Sequence, residues 1–512
     1  MKTTLVKKNR YYDSVTLMRI SQAISGFPGV KTAMIGMGTE LNKDSLKNVG
    51  LYGVEVANAA NTDLMIGIEA ESEKVINLAL EEIERQLDAG KEMKGNPAAT
   101  SFKSVEAVLR NGFSKNIALI SVPGIYAARE AKKALENGLH VFLFSDNVTV
   151  EEEIELKELA LEKKLLMMGP DCGTAMINGI ALGFTNKVNR GNIGIVGASG
   201  TGTQQVMTLI DQMGEGVSQV IGTGGRDLSE KVGGRMMSLG IRALMEDPQT
   251  KVLVTVSKPP AAGVAEKMIE LLRNGEKPAV VCFLGSADTG DKGNGVFVVN
   301  NLEATARKAV EILTPGQENN FVNEEFLVQI AKDLKNTLSP EQKYFRALYG
   351  GGTLADETML ELSQDGLEIY SNIPLKPEAA LSSPEASHNH TVLDLGDDYF
   401  TRGKPHPMIE PALRVPRLIK ESLDPQTAIV LVDVILGYGG HADPAGVTVE
   451  AVQEAQKQLE AVGRKVVFIS VLIGTGKDPQ NYAEQERKLT DAGVVVVNSN
   501  YQAVKLIKAI LN

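Results

Sequence analysis

Tryptophan is absent from this chain of 512 residues, aromatic residues make up only 5%, and there are two cysteines. Cys172 and Cys282 cannot staple a chain of this length, so a disulfide scaffold is excluded and a reducing cytoplasm is the expected setting. Histidine is scarce too, with His140, His388, His390, His406 and His441 the full set. No Cys/His cluster has zinc spacing, and no metal site is expected. Basic charge is in deficit: 53 Lys and Arg stand against 64 Asp and Glu, a net −11. The basic face of a nucleic-acid binder is therefore missing. Long apolar runs are missing as well. The opening MKTTLVKKNRYYDSV lacks the apolar core of a secretory signal. The longest uncharged stretch, 191–210, is broken by glycines and polar residues, so no membrane span is expected. Glycine, by contrast, is plentiful at 50 residues. Glycine without aromatics points to many tight strand-to-helix turns, and the length suggests roughly three to four domains.

Residues 1–95 read as a small α+β domain. The strands TTLVKK, VKTAMIGMG and TDLMIGIEA alternate with the helices SVTLMRISQAIS and EKVINLALEEIERQLDAG, an order that suggests a ferredoxin-like layer. KGNPAATS, 94–101, reads as the following linker. Within 102–188, NIALISVPG, HVFLFSD and KLLMMGPD are unbroken apolar runs with helices between them. Such runs are strands covered on both faces, hence a parallel sheet whose ligand crevice lies beyond the strands' carboxyl ends. Residues 189–315 repeat the pattern with NIGIVGA, SQVIGTG, KVLVTVS and PAVVCFLG. Residues 316–345 are polar and read as a helical bridge. Residues 345–512 form a last α/β unit with the strands FRALYGGG, HTVLDLGDD, TAIVLVDVILG, KVVFISVLIG and GVVVVNS. Asp-Pro-Gln-Thr precedes a buried strand at both 247 and 424, an internal echo that shared turn chemistry also explains.

Seven segments carry candidate chemistry. Ser199, Gly200, Thr201 and Gly202 join a strand to a helix, where small residues and unpaired N–H groups suit an anion; the alternative is an ordinary tight turn. The segment is neither a Walker A loop nor GxGxxG. Gly224, Gly225 and Arg226 end the next strand at the same edge, Arg226 either gripping a phosphate or carboxylate or pairing with Asp227. Lys258 closes a third strand, aimed by Pro259 and Pro260, or simply solvated. Cys172 in the Gly-Pro-Asp-Cys-Gly loop reads as a structural thiol. Gly351, Gly352 and Thr353 open a helix as another anion cradle. The loop 396–407 holds Asp397, Arg402, Lys404 and His406, reactive side chains denser than a plain surface loop carries. Arg402 and Lys404 are candidates for binding anionic substrate ends and His406 for moving a proton, unless the loop is a clasp with Asp397 or Asp398 on Arg402. His441 beside Asp443 reads as an acid/base pair or as a capped turn.

GPDCGTA, GNIGIVGASGTGTQQ, IGTGGRDLSEKVGG, DPQTKVLVTVSKPP and LGDDYFTRGKPHPMIEP together resemble the FdrA family, its YahF-type members in particular, over essentially the whole chain. More distantly, 102–315 is similar to the α subunit of succinyl-CoA synthetase. That similarity implies a Rossmann-like CoA-binding domain at 102–188 and a flavodoxin-like ligase domain at 189–315. Residues 345–512 resemble the second flavodoxin-like ligase domain, which the synthetase keeps in its β subunit. The synthetase α subunit carries a phosphorylated histidine in Gly-His-Ala-Gly-Ala; the matching stretch here, LGSADTGDKGNGV, has none, and no region matches an ATP-grasp domain. The FdrA resemblance implies a YlbE-like partner subunit and carbamoyl transfer from an oxalurate-like ureido acid to phosphate, giving carbamoyl phosphate. Its alternatives are an acyl-CoA synthetase and a non-catalytic binding subunit. The implied ligands are small anions, with CoA, phosphate or carbamoyl phosphate as candidate cofactors, and a homo- or hetero-oligomer is expected.

Overall fold

The computed structural model describes all residues except 11, 13, 93–101, 103, 112–114, 317–323 and 402–403. The linker expected at 94–101 and Arg402 therefore lie outside the described residues. The chain divides into two compact units, Met1–Asn111 and Gly112–Asn512.

In the first unit, β1 (Lys2–Lys7), β2 (Val30–Met37) and β3 (Leu64–Ala70) form an antiparallel sheet in the order β1-β3-β2. The helices Ser14–Ser25 and Glu73–Glu92 lay their apolar stripes on it. Leu17, Ile20 and Ile24 from one, and Ile76, Ala79, Ile83 and Leu87 from the other, share one core. The three- and four-residue spacing puts each set on a single face. The short helices Glu40–Asn48 and Val54–Ala57 have no counterpart in the sequence reading.

The second unit holds three sheets. The smallest joins β4 (Ile117–Ile120), β5 (His140–Leu143) and β6 (Met167–Met168) in parallel. Next come β7 (Thr174–Ile177), β8 (Ile180–Gly183), β9 (Arg190–Ala198), β10 (Val217–Gly222), β11 (Val252–Ser257), β12 (Ala279–Phe283), β13 (Gly290–Asp291) and β14 (Val296–Val299), in the order β13-β14-β12-β11-β9-β10-β7-β8. The last sheet contains β15 (Tyr344–Tyr349), β16 (Ile369–Ser371), β17 (His390–Asp394), β18 (Thr427–Ile435), β19 (Val467–Ile473) and β20 (Val495–Val497), all parallel, in the order β16-β17-β15-β18-β19-β20.

The two larger sheets share a plan. One runs β14-β12-β11-β9-β10 and the other β20-β19-β18-β15-β17. In each, the central strand (β9 or β15) leads into a glycine-rich turn and a helix, and the strand after Asp-Pro-Gln-Thr (β11 or β18) lies beside it. The echo at 247 and 424 thus marks a repeated topology. In the first copy the turn closes on itself: Thr250 Oγ1 donates to Asp247 Oδ2 at 2.8 Å. In the second, the Gln426 N–H donates to Asp424 Oδ1 at 2.9 Å. The helices after the two central strands, Gly200–Gln212 and Gly352–Ser363, are buried in one common core through Val206, Leu209 and Ile210, and Leu354, Met359 and Leu362. Their polar positions are satisfied internally. Asn500 donates to Glu357 at 2.9 Å and its own N–H donates to Gln205 at 3.0 Å, while Tyr349 and Thr358 hydroxyls meet at 2.7 Å. Polar groups this deep stay only when paired.

Candidate active site

The carboxyl ends of the parallel strands put six turns side by side, as the crevice rule for open α/β sheets requires. At their centre is the Lys258 ammonium, carried by the turn after β11. It pairs with Asp356 at 2.8 Å, although the Lys258 side chain keeps 39% of its surface in solvent. Asp356 is supplied by the first turns of helix Gly352–Ser363. Asp394 ends β17, buried to 8% exposure. Asp171 stands on the solvent side of the same cleft, in the turn after β6. An added Cβ on Gly352 would lie 2.3 Å from Asp394 Oδ2 and 3.3 Å from Lys258 Nζ. Glycine there keeps the helix head open to both groups.

The electrostatics follow from this crowding. Burial pushes the Asp394 carboxyl up to about 7; Lys258 and the Gly396 N–H oppose it, while Asp356 and Asp397 add to it. Burial likewise lifts Asp356 against the pull of Lys258. The protein packed around Asp171 lifts it too, with the charges of Asp146 and Asp398 adding and Lys258 and Arg226 opposing. For Lys258, burial works against the charge, but Asp356, Asp394 and Asp171 outweigh it and hold the ammonium above the usual lysine range. The cleft therefore combines one secured cation with a buried carboxyl poised to exchange a proton near neutrality. Perturbed groups of this kind concentrate at functional sites.

The two helix heads meet at this cleft. Ser199 Oγ and Thr353 Oγ1 lie 2.8 Å apart. Ser199 also caps its own helix, accepting from the Gly202 N–H at 3.1 Å. The fit is close: a Cβ on Gly202 would come within 2.4 Å of Ser199 Oγ and 2.8 Å of Thr353 Cγ2, and one on Gly351 within 2.8 Å of Thr201. Gly200 is different, for its Cβ would meet only Thr174 Oγ1 at 3.7 Å. Ser199, Gly200, Gly224 and Gly225 line one small polar cleft with Asp171. Gly224 has φ +84° and a Cβ there would lie 2.3 Å from the Pro170 carbonyl, so only glycine serves.

The two glycine-rich turns have different contents. The N–H groups of Gly350 and Gly351 both donate to the buried Asp433 carboxylate, at 2.9 and 2.8 Å, and Arg414 pairs with that carboxylate. The second cradle is thus filled by the protein's own anion up to Gly351, leaving Gly352 and Thr353 facing Lys258 and Ser199. In the first turn the position that matches Asp433 is Val256, opposite Gly197 on β9, an apolar side chain. Among the described residues no carboxylate occupies the N–H groups of Gly200 and Thr201.

The other candidates are spread more widely. Arg226 donates to the Val148 carbonyl at 2.8 Å and pairs with Glu153 at 3.0 Å, beside a fully buried Lys157 that holds Glu153 and Asp227. That network pins the turn after β10. Asp227 accepts from Lys157, so the sequence alternative of an Arg226–Asp227 pair is not what forms. Asp397 caps the short helix Asp398–Thr401, accepting from the Tyr399 N–H at 3.0 Å. His406 stacks loosely on Phe184 at 5.9 Å between ring centres, with Nε2 toward Gly396. Its Nδ1 accepts from the Met408 N–H at 3.2 Å, and burial drives the imidazole down to about 4. His406 is therefore neutral, with the proton on Nε2. Lys404 lies away from it, lining a separate cavity. His441 Nδ1 accepts from the Asp443 N–H at 3.0 Å, while the Asp443 carboxylate caps helix Pro444–Glu460 and pairs with Lys488 at 2.8 Å. This is the capped turn of the two readings. Burial pushes the Cys172 thiol up to about 12, in keeping with an inert structural role. Asp356 and Asp394 were missed from sequence. Asp394 carried a signal, a carboxylate closing a buried apolar strand.

Sheets, turns and cleft define the chain as an α/β protein built on parallel sheets, the architecture that CoA-ligase-like domains share. Family models agree: a CoA-ligase domain matches 348–510, a CoA-binding domain matches 188–285, and the AllF heavy metal-associated domain matches 1–103. The CoA-binding match falls on the eight-stranded sheet, not on the segment 102–188. The 1–103 match contains no cysteine. The uncharacterised protein YahF of Escherichia coli K12 is 46% identical over 97% of this chain and 96% of its own length. The chain belongs to the FdrA family, with YahF as a full-length relative. It is also similar to the mitochondrial succinate–CoA ligase (ADP-forming) subunit alpha-2 of Trichomonas vaginalis, 28% identical over 46% of this chain and 80% of that one. Among solved structures, the dinucleotide-forming acetyl-coenzyme A synthetase 1 of Ca. Korarchaeum cryptofilum matches at 15% identity and a TM-score of 0.31, covering 81% of this chain and 85% of that one. Among the described residues no helix is long and apolar enough to cross a membrane, and no group of three or more His, Cys, Asp and Glu is placed to hold a metal ion.

Proposed function

We propose that the chain is the FdrA-type subunit of a carbamoyltransferase that moves the carbamoyl group of an oxalurate-like ureido acid onto phosphate, working with a YlbE-like partner subunit. The observation that carries this reading is the cleft: Lys258 beside a buried Asp394, under two helix heads of which one keeps its N–H groups free of any internal carboxylate. Phosphate sits at Gly200 and Thr201 N–H with Lys258 as counter-charge. A phosphate oxygen attacks the carbamoyl carbon and forms the new C–O bond. The same N–H groups and Lys258 stabilise the oxyanion that builds up. Collapse breaks the bond to the ureido nitrogen, which leaves as the amide of the shortened acid. That nitrogen takes a proton from Asp394, whose raised pKa keeps a fraction protonated near neutrality. No covalent histidine is needed, in line with its absence from the segment 284–296.

The family matches favour one second reading, an acyl-CoA ligase. Co-purification with the YlbE-like partner, followed by assay of carbamoyl phosphate from oxalurate and phosphate, tests the first. Phosphate-dependent product formation is expected, with no acid-labile label on the chain after incubation with labelled ATP. Acyl-CoA formed from acid, CoA and ATP, with label on a histidine, would replace it by the second.

A further inference from the structure

The loop 396–407 has two faces. His406 turns toward Phe184 and Gly396, while Pro405 and Pro407 on either side of it, together with Lys404, line a cavity of about 230 Å³ on the other. We propose that this cavity is a second binding site, for a small organic anion: a carboxylate or phosphate monoester carried on an apolar body.

Its walls divide by chemistry. Leu395, Phe400 and Leu413 give an apolar side, extended by Pro416. Leu413 keeps 43% of its surface exposed, which a ligand would cover. The cations are Lys404, Arg414, Arg417 and Lys420, against a single lining carboxylate, Glu385, whose side chain is 67% exposed. The two arginines are buried and committed. Arg414 pairs with Asp433, and Arg417 donates to Glu421 at 2.6 Å and to Ser387 at 2.9 Å. The lysines are not committed in this way. Lys420 gives one hydrogen bond to the Glu385 carbonyl, at 2.6 Å. Lys404 has no side-chain partner among the described residues. An ammonium offers three donors, so both lysines have capacity left for an incoming anion. Uncompensated cations beside an apolar wall select a ligand with a charged head and a greasy body, and disfavour bare phosphate.

Calorimetric titration of the intact chain with hexanoate, phenyl phosphate and inorganic phosphate tests this. Hexanoate or phenyl phosphate should saturate the wild type. The double variant Lys404→Ala, Lys420→Ala should weaken that binding at least about ten-fold, as loss of charge-assisted contacts implies. Leu413→Asp should weaken it as well, and Lys258→Ala should leave it unchanged. The three altered side chains of the cavity are all exposed, so the variants retain the fold. The proposal fails if neither organic probe saturates below about 10 mM. It fails equally if the double variant binds like wild type, if inorganic phosphate competes as well as phenyl phosphate, or if Lys258→Ala removes the binding and so assigns it to the cleft.

Discussion

Replacing Asp394 by asparagine should make the protein more stable, and increasingly so as pH rises. The native carboxyl gives up its proton near 7, whereas its ordinary value is 3.8. Between those values the native chain holds a proton that the unfolded chain has lost. Stability therefore falls as pH climbs from about 4 to about 7, reaches its full penalty above 7, and carries no penalty below about 4. Three units at about 1.4 kcal/mol each give a penalty of ~4 kcal/mol for ionising this buried group. Asparagine never ionises, and its amide oxygen still accepts the Gly396 N–H that Asp394 receives at 2.9 Å. For a unit of roughly 400 residues, ~1 kcal/mol moves the melting temperature by ~1 °C. Calorimetric scans at a fixed rate from pH 5 to 8 should show the variant pulling ahead by up to ~5 °C and then levelling. A variant-minus-wild-type difference that stays flat across that range would mean Asp394 ionises like a surface carboxylate, and the acid assigned to it here would be wrong.

Lys258→Ala should weaken phosphate roughly 10- to 100-fold by calorimetry, because one charge-assisted contact is lost and Asp356 and Asp394 remain. Wild-type phosphate binding should itself fade as pH rises through 7 and take up protons over that same range, measurable by repeating the titration in buffers of different ionisation heat. Gly200→Ala should fold and melt like wild type, whereas Gly202→Ala should lower the melting temperature, since only the second forces apart Ser199 and Thr353. Arg414→Ala should destabilise by about 3–5 kcal/mol in denaturant titrations, because it leaves the Asp433 carboxylate buried without its cation.

The layered α/β plan was readable because each buried parallel strand announces itself as an apolar run closed by Gly, Pro or Asp. That is how β9, β10, β11, β12, β15, β17, β18 and β19 show in the sequence. The hairpin of β7 and β8 did not, since Thr174–Ile177 and Ile180–Gly183 are short and mixed in polarity. β14 and β16 are shorter than the usual window for the same reason. Turn chemistry located Ser199 to Gly202 and Gly351 to Thr353 at one edge but could not say which N–H groups were already taken. That depended on Asp433, more than 80 residues away in the chain from Gly350. The partners of Lys258 come from three separate elements, so no local spacing links Asp171, Asp356 and Asp394. Density of reactive residues, the argument for 396–407, overlooked that neighbours in a loop point to opposite sides.

Asp433 and Val256 stand at matching places in the two copies of the ligase plan, counted from the shared Asp-Pro-Gln-Thr, one a carboxylate lodged in its glycine turn and the other an apolar side chain beside an unfilled turn. A doubled domain normally brings two seats for the same guest. Here one copy carries a permanent occupant, so it works as a keystone, while its twin remains a receptor. On the proposed function, such a chain is expected to take up a single phosphate, with an ordinary hyperbolic isotherm. Exchanging the two residues, Asp433→Val with Val256→Asp, is expected to swap the copies' roles.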